Sequence, residues 1–143
     1  MREIKRSALV SQSPSRMFAL INDIERYPEF VPGITSSQVV ARSAREIVAT
    51  LAVRRGALHT EFTTRNELEP DTRVGLELVQ GPFRELKGEW RLTPIGAHGC
   101  KVELTLRFAF TNPFSGLVFE PLLEATAASL VDAFVARARA MPA

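Results

Sequence analysis

Thr60, Phe62, Thr64 and Asn66 occupy alternate positions of one stretch, so in a strand they share a face, with His59, Glu61, Arg65 and Glu67 on the other. Polar groups on an inner face need partners. They either bond to one another or to water, or they are the few polar contacts of an otherwise apolar cavity. Catalytic alternatives find little support in the residues. A hydrolase or metalloenzyme needs a nucleophile with a base, or at least three clustered ligands, and neither pattern is visible. His59 falls on the outer face, and His98 sits in the turn Gly96-Ala97-His98-Gly99, which makes both plain surface residues. Asp and Glu are scattered over outer faces with no inward pair for acid/base work. Gly81-Pro82-Phe83 lacks the glycine spacing and the following helix of a phosphate loop and reads as a turn. The chain is therefore expected not to be an enzyme and to hold no metal or catalytic cofactor.

The elements that position these residues follow from periodicity. Ile4 to Gln12 suggests a first strand. Ser13-Pro14-Ser15 offers a cap serine with proline at the first helical position, so a short helix is expected to about Asn22. A second helical turn is expected over Ile24 to Phe30, before Pro32-Gly33 breaks the chain. From about Ile34 to Phe110 the chain reads as strands without a helix: Thr35 to Ala41, Glu46 to Val53, Leu58 to Leu68, Thr72 to Val79, Arg84 to Thr93 and Cys100 to Phe110, joined by hairpin turns. Alternation points Val74, Leu76 and Leu78 inward, together with Leu86, Trp90 and Leu92, and with Val102, Leu104, Leu106, Phe108 and Phe110. Charged neighbours form a wet outer face, as in an antiparallel sheet exposed on one side.

A long helix from about Ser115 to Ala140 closes the chain, with Phe119, Leu123, Ala127, Leu130, Phe134 and Ala138 along one stripe. Pro121 predicts a kink or a late true start near Glu120. Ala125, Ala127 and Ala128, with inward Gly88, are small where Leu would fill a core. Either a void or close backbone packing results. A curved antiparallel sheet closed by one helix tends to trap apolar space between the layers, so the expected class is α+β, a curved sheet of about seven strands wrapped on the C-terminal helix.

Composition agrees. The 143 residues fit one domain, 1–143, and 45% hydrophobic with 24% charged residues is ordinary for a globular protein. A net charge of +2 is too small to argue for nucleic acid, and no DNA partner is expected. Cys100 is the only cysteine, which excludes an internal disulfide and suits a reducing compartment. The charged start shows no signal peptide, and no run approaches the roughly 18 consecutive apolar residues of a membrane span. A cytoplasmic location is expected. Arg42, Arg45, Arg54, Arg55 and Arg65 are expected to gather where hairpins meet, as a solvated surface or a dock for an acidic partner such as ribosomal RNA.

The element order resembles the helix-grip fold of steroidogenic-acute-regulatory-related lipid-transfer (START) domains and the birch-pollen allergen. Specific blocks narrow this: Ser13-Pro14-Ser15-Arg16-Met17-Phe18, Asp23-Ile24-Glu25-Arg26-Tyr27-Pro28-Glu29-Phe30-Val31-Pro32-Gly33 and Phe62-Thr63-Thr64-Arg65-Asn66. Gly81 through Trp90, Phe108-Ala109-Phe110-Thr111-Asn112 and Ala133 through Ala138 continue the series. Together they resemble the coenzyme Q-binding and ribosome-association toxin family of the START-like (polyketide cyclase/dehydrase) superfamily. Many bacterial relatives carry cysteine after Pro-Gly where Ile34 stands here, so no role rests on a thiol at that point.

The resemblance implies two roles. Mitochondrial members bind coenzyme Q and support respiration without catalysis. A bacterial branch binds the large ribosomal subunit, blocks its joining to the small one and so inhibits translation initiation. The lack of a mitochondrial targeting segment favours a bacterial member. The expectation is a carrier of ubiquinone or a similar polyprenyl quinone between sheet and C-terminal helix. Phe62, Leu76, Leu78, Trp90, Leu104, Phe108, Phe119, Leu123 and Phe134 would form its wall. Thr64 and Asn66 would face the quinone carbonyls, Tyr27 and Phe30 would guard the mouth, and a peripheral membrane contact would serve ligand exchange. The alternative places function on an outer surface, with Arg54 and Arg55 against the large ribosomal subunit.

Overall fold

The structure, a computed structural model, describes residues 2–141, the side chain of Pro113 excepted. Strand β1 (Arg2–Val10) leads into helix α1 (Pro14–Asn22), a 3-10 turn (Ile24–Arg26) and the short helix α2 (Tyr27–Phe30). Six strands follow: β2 (Ile34–Arg42), β3 (Glu46–Arg55), β4 (Leu58–Glu69), β5 (Arg73–Gln80), β6 (Phe83–Ile95) and β7 (Gly99–Phe110). Helix α3 (Pro113–Ala140) ends the chain.

The strands form one antiparallel sheet in the order β1-β7-β6-β5-β4-β3-β2. Each strand from β2 to β7 pairs with its sequence neighbours, and β1 closes on β7 with Arg2 opposite Phe108 and Val10 opposite Cys100. Short turns make this order possible. Gly56, at φ +61°, takes the left-handed conformation that the tight β3–β4 connection requires. At Gly88 the constraint is proximity, because a Cβ there would lie 2.4 Å from the Thr105 carbonyl oxygen of β7. Gly88 is thus a place of close backbone approach. The void lies elsewhere.

Local chemistry sets the helix boundaries. The Ser13 hydroxyl accepts from the Arg16 amide at 3.2 Å, and Pro14 begins α1, whose Met17, Leu20 and Ile21 are buried. Asn112 Oδ1 accepts from the Ser115 amide at 2.8 Å and starts α3 at Pro113. Of the kink or late start near Glu120 expected from Pro121, the late start is corrected: Asn112 supplies a cap well upstream, and Pro121 lies inside the helix. Proline at that point removes the hydrogen bond to the Leu117 carbonyl, on a turn whose Leu117 and Pro121 side chains are exposed to water.

α3 packs over β1, β7 and β3 and buries Leu122, Leu123, Ala127, Val131, Phe134 and Ala138. If each large apolar member contributes about 1.5–3 kcal/mol, the helix is firmly held. By length and mean hydropathy (1.3) Phe114–Ala140 is also apolar enough to cross a membrane. Here it serves as the core helix, with Glu120, Glu124 and Asp132 interrupting its apolar run.

Candidate functional site

Between sheet and α3 lies a cavity of about 70 Å³. Its floor is the inner face of five strands: Ala49 and Leu51 on β3, Phe62, Thr64 and Asn66 on β4, Val74 and Leu76 on β5, Leu86 and Trp90 on β6, and Leu104 and Leu106 on β7. Its roof is the α3 stripe Leu123, Thr126, Ala127 and Leu130, whose spacing of three and four puts all of them on one face. Ile21, Ile24 and Tyr27 close one side.

The polar content is small and defined. The Thr64 hydroxyl donates to Asn66 Oδ1 at 2.7 Å, and the two residues are 8% and 6% exposed. That is the only side-chain hydrogen bond of Asn66 among the described residues, and the residue lines the cavity with the other end of its carboxamide unpaired among them. Thr126 donates to the Leu122 carbonyl at 2.8 Å, which leaves its oxygen lone pairs available on the roof. The Tyr27 hydroxyl donates to the Ile21 carbonyl. Burial, and then the Asp23 carboxylate, push its pKa far above the ordinary phenol range. Tyr27 thus keeps its proton, and no other lining side chain titrates. The cavity can exclude water and offer hydrogen bonds. It holds no acid/base pair.

Of the residues expected at the site, Tyr27, Phe62, Thr64, Asn66, Leu76, Trp90, Leu104 and Leu123 line the cavity. Tyr27 does so from within, at 5% exposure, and not as a rim residue. Phe30, Leu78, Phe108, Phe119 and Phe134 stand outside it. Phe134 packs behind the wall, its ring 5.1 Å from Trp90, 5.5 Å from Tyr27 and 5.8 Å from Phe30. Phe30 is half-buried under the Arg137 guanidinium, 5.1 Å from its ring centre. Phe108 is buried against Phe83 and Phe110, Phe119 stacks on Phe110 at 6.3 Å, and Leu78 is half-buried at the end of β5. The cavity takes up only the middle turns of α3, so stripe members one turn beyond each end fill the core instead.

Sequence reasoning missed Ile21 and Ile24, which enter from outside the sheet, and Ala49 and Leu51 on β3. Thr126 carried a usable signal as a lone polar residue on an apolar helix face. Of the three mid-helix alanines, Ala127 alone lines the cavity.

The five arginines do not gather. Arg42 and Arg65 stand near the β2–β3 turn, where they meet Glu25 at 3.4 Å and Glu46 at 3.2 Å, and Arg45 lies in that turn. Arg54 and Arg55 are exposed at the opposite end of β3, paired with His59 and Leu58. A ten-residue strand, roughly 33 Å long, separates the two groups. Among the described residues no cluster of His, Cys, Asp and Glu could hold a metal ion.

Known proteins share both sequence and architecture with this chain. The ribosome association toxin RatA of Vibrio cholerae is 41% identical over 139 residues, covering 97% of this chain and 96% of the relative. The mitochondrial coenzyme Q-binding protein coq10 of Schizosaccharomyces pombe is 25% identical, covering 93% and 84%. A START superfamily protein from Mycobacterium smegmatis superposes with a TM-score of 0.82 at 19% identity, covering 98% and 99%. The Zhui aromatase/cyclase of a Streptomyces species does so at 0.85 and 17%, covering 96% and 93%, so the same fold also carries enzymes. Residues 10–135 match the family described as polyketide cyclase / dehydrase and lipid transport. The chain belongs to that family and, within it, groups with the ribosome association toxins.

Proposed function

We propose that the chain binds an apolar ligand carrying hydrogen-bond acceptors, a polyprenyl quinone such as ubiquinone, in the cavity under α3, without catalysis and in support of respiration. The observation that carries this reading is the Asn66 carboxamide: buried, bonded on one side to Thr64, and open on the other to an otherwise apolar space. That end can donate a hydrogen bond to a ligand carbonyl in apolar surroundings. The name of the S. pombe relative points the same way. A space of about 70 Å³ is small beside the several hundred Å³ of typical ligand pockets. Admission of a quinone ring therefore requires lining side chains to move.

Titration of delipidated protein with a short-tailed ubiquinone, followed through Trp90 in the cavity wall, tests the reading. Saturable quenching is expected, and Asn66→Leu should weaken affinity roughly tenfold at unchanged fold. Quenching no greater than that of free tryptophan, or affinity retained in the variant, would sink it.

A second reading rests on a different observation. The V. cholerae relative, similar over its whole length, is named for ribosome association, and Arg54 and Arg55 are exposed with no carboxylate partner among the described residues. In this reading they contact the large ribosomal subunit and block its joining to the small one. Arg54→Glu with Arg55→Glu should then restore subunit joining in a gradient assay. An undiminished block would exclude that surface.

A further inference from the structure

Phe114 and Leu117, on one face of the first turns of α3, are 76% and 79% exposed, more than any other large apolar side chains described. Neither helps to hold the fold. They sit where β7 ends and α3 begins, at the end of the sheet that also carries the β3–β4 and β5–β6 turns. Leu117 shares an open groove of about 360 Å³ with Arg84, Phe110, Gly116 and the Arg2–Glu120 pair. Arg84 has no carboxylate partner among the described residues, nor do Arg54 and Arg55 at the same end. Glu120 and Glu124, the acids nearest along the helix, are both held by Arg2, at 3.1 and 3.0 Å. Behind this tip the rings of Phe119, Phe110, Phe83 and Phe62 follow one another at 6.3, 4.8 and 5.8 Å between centres. The last of them belongs to the cavity wall.

We propose that this tip is a peripheral membrane-docking surface. Phe114 and Leu117 enter the headgroup and acyl boundary of an anionic bilayer, Arg84 meets lipid phosphate, and the aromatic seam leads inward to the cavity. Two nearly bare apolar side chains gain free energy in a bilayer interface, whereas an RNA backbone offers a leucine nothing. Basic side chains beside them add attraction to anionic lipid. A second copy of the chain is disfavoured, since two side chains fall far short of the roughly 800 Å² per partner of a stable dimer. The proposal deepens the quinone-carrier reading, because a polyprenyl quinone resides in bilayers. It rests on that reading for its purpose but not for its measurement.

The test is sedimentation of the full chain with vesicles of phosphatidylcholine alone, and of phosphatidylcholine with phosphatidylglycerol in equal parts. The chain should bind the mixed vesicles and scarcely the neutral ones. Phe114→Ser with Leu117→Ser should lower partitioning roughly tenfold or more, and Arg84→Gln a few-fold. Asn66→Leu should bind vesicles like the unaltered protein, so failure of the cavity reading is told apart from failure of this one. Phe114→Trp provides a readout that does not depend on the serine variants folding: brominated lipid should quench the new tryptophan beyond the Trp90 background. No binding to mixed vesicles, unchanged binding of the double serine variant, or no added quenching would overturn the proposal. So would a dimer, or a ribosomal-subunit complex, that the double substitution abolishes while vesicles stay unbound.

Discussion

The two ends of the sheet treat their charges differently. At the end bearing the β2–β3 and β4–β5 turns, most arginines are tied down, exposed Arg45 excepted: Arg42 meets Glu25, Arg65 meets Glu46, and Arg73 reaches Glu69 at 2.7 Å and Glu89 at 2.6 Å. At the other end Arg54, Arg55 and Arg84 are exposed without carboxylates among the described residues, and Arg84 shares a groove with bare Leu117, one turn from bare Phe114. Charge at the first end closes the surface upon itself. At the second end both charge and apolar area remain available, and that end lies over the aromatic seam leading to the cavity. The availability does not come from looseness, since Phe83 beneath it is buried and packs against Phe62, Phe108 and Phe110.

The largest expected effect tests that last point. Phe83→Ala should cost about 3–5 kcal/mol in urea denaturation, because it empties the centre of the aromatic group. A loss under about 1 kcal/mol would mean that the end is loosely packed and would break the comparison.

A smaller effect belongs to the tied end. The Arg73 hydrogen bond, foremost, holds the Glu89 carboxyl below the ordinary carboxylate range. A depressed acid contributes stability that is present above its unfolded pKa, near 4.3, and is lost as pH falls through the lower folded value. Glu89→Gln should therefore remove about 1 kcal/mol at neutral pH and flatten the decline of stability on the acid side below about pH 4.3. An acid limb identical to that of the unaltered chain would show that the pair is idle.

The smallest effect sharpens the contrast. Arg54→Glu with Arg55→Glu should leave stability within about 0.5 kcal/mol, since neither side chain is paired with an acid among the described residues. A clear loss in melting temperature would mean that these arginines serve the fold and not a partner.

Much of this was legible in the residues. The strand faces followed from alternation, and the inward placement of Thr64 and Asn66 followed with them. The roof of the cavity was legible as a helical stripe, yet Phe119 and Phe134 share that stripe with Leu123 and Leu130 and lie outside the space. Periodicity identifies a face; it says nothing of how far along that face two layers stand apart. Likewise β3 was legible as a strand. Which arginines met carboxylates depended on hairpin pairing and on the packing of the 3-10 turn that carries Glu25.

By itself the order of residues determined the elements, their faces and the family, because backbone propensity, period and local caps act within a few positions. Only the tertiary structure decided which inward residues bound a void, which cations stayed free, and that Asn66 keeps one end of its carboxamide open. Those outcomes depend on distances between elements remote in sequence. Local rules do not constrain such distances.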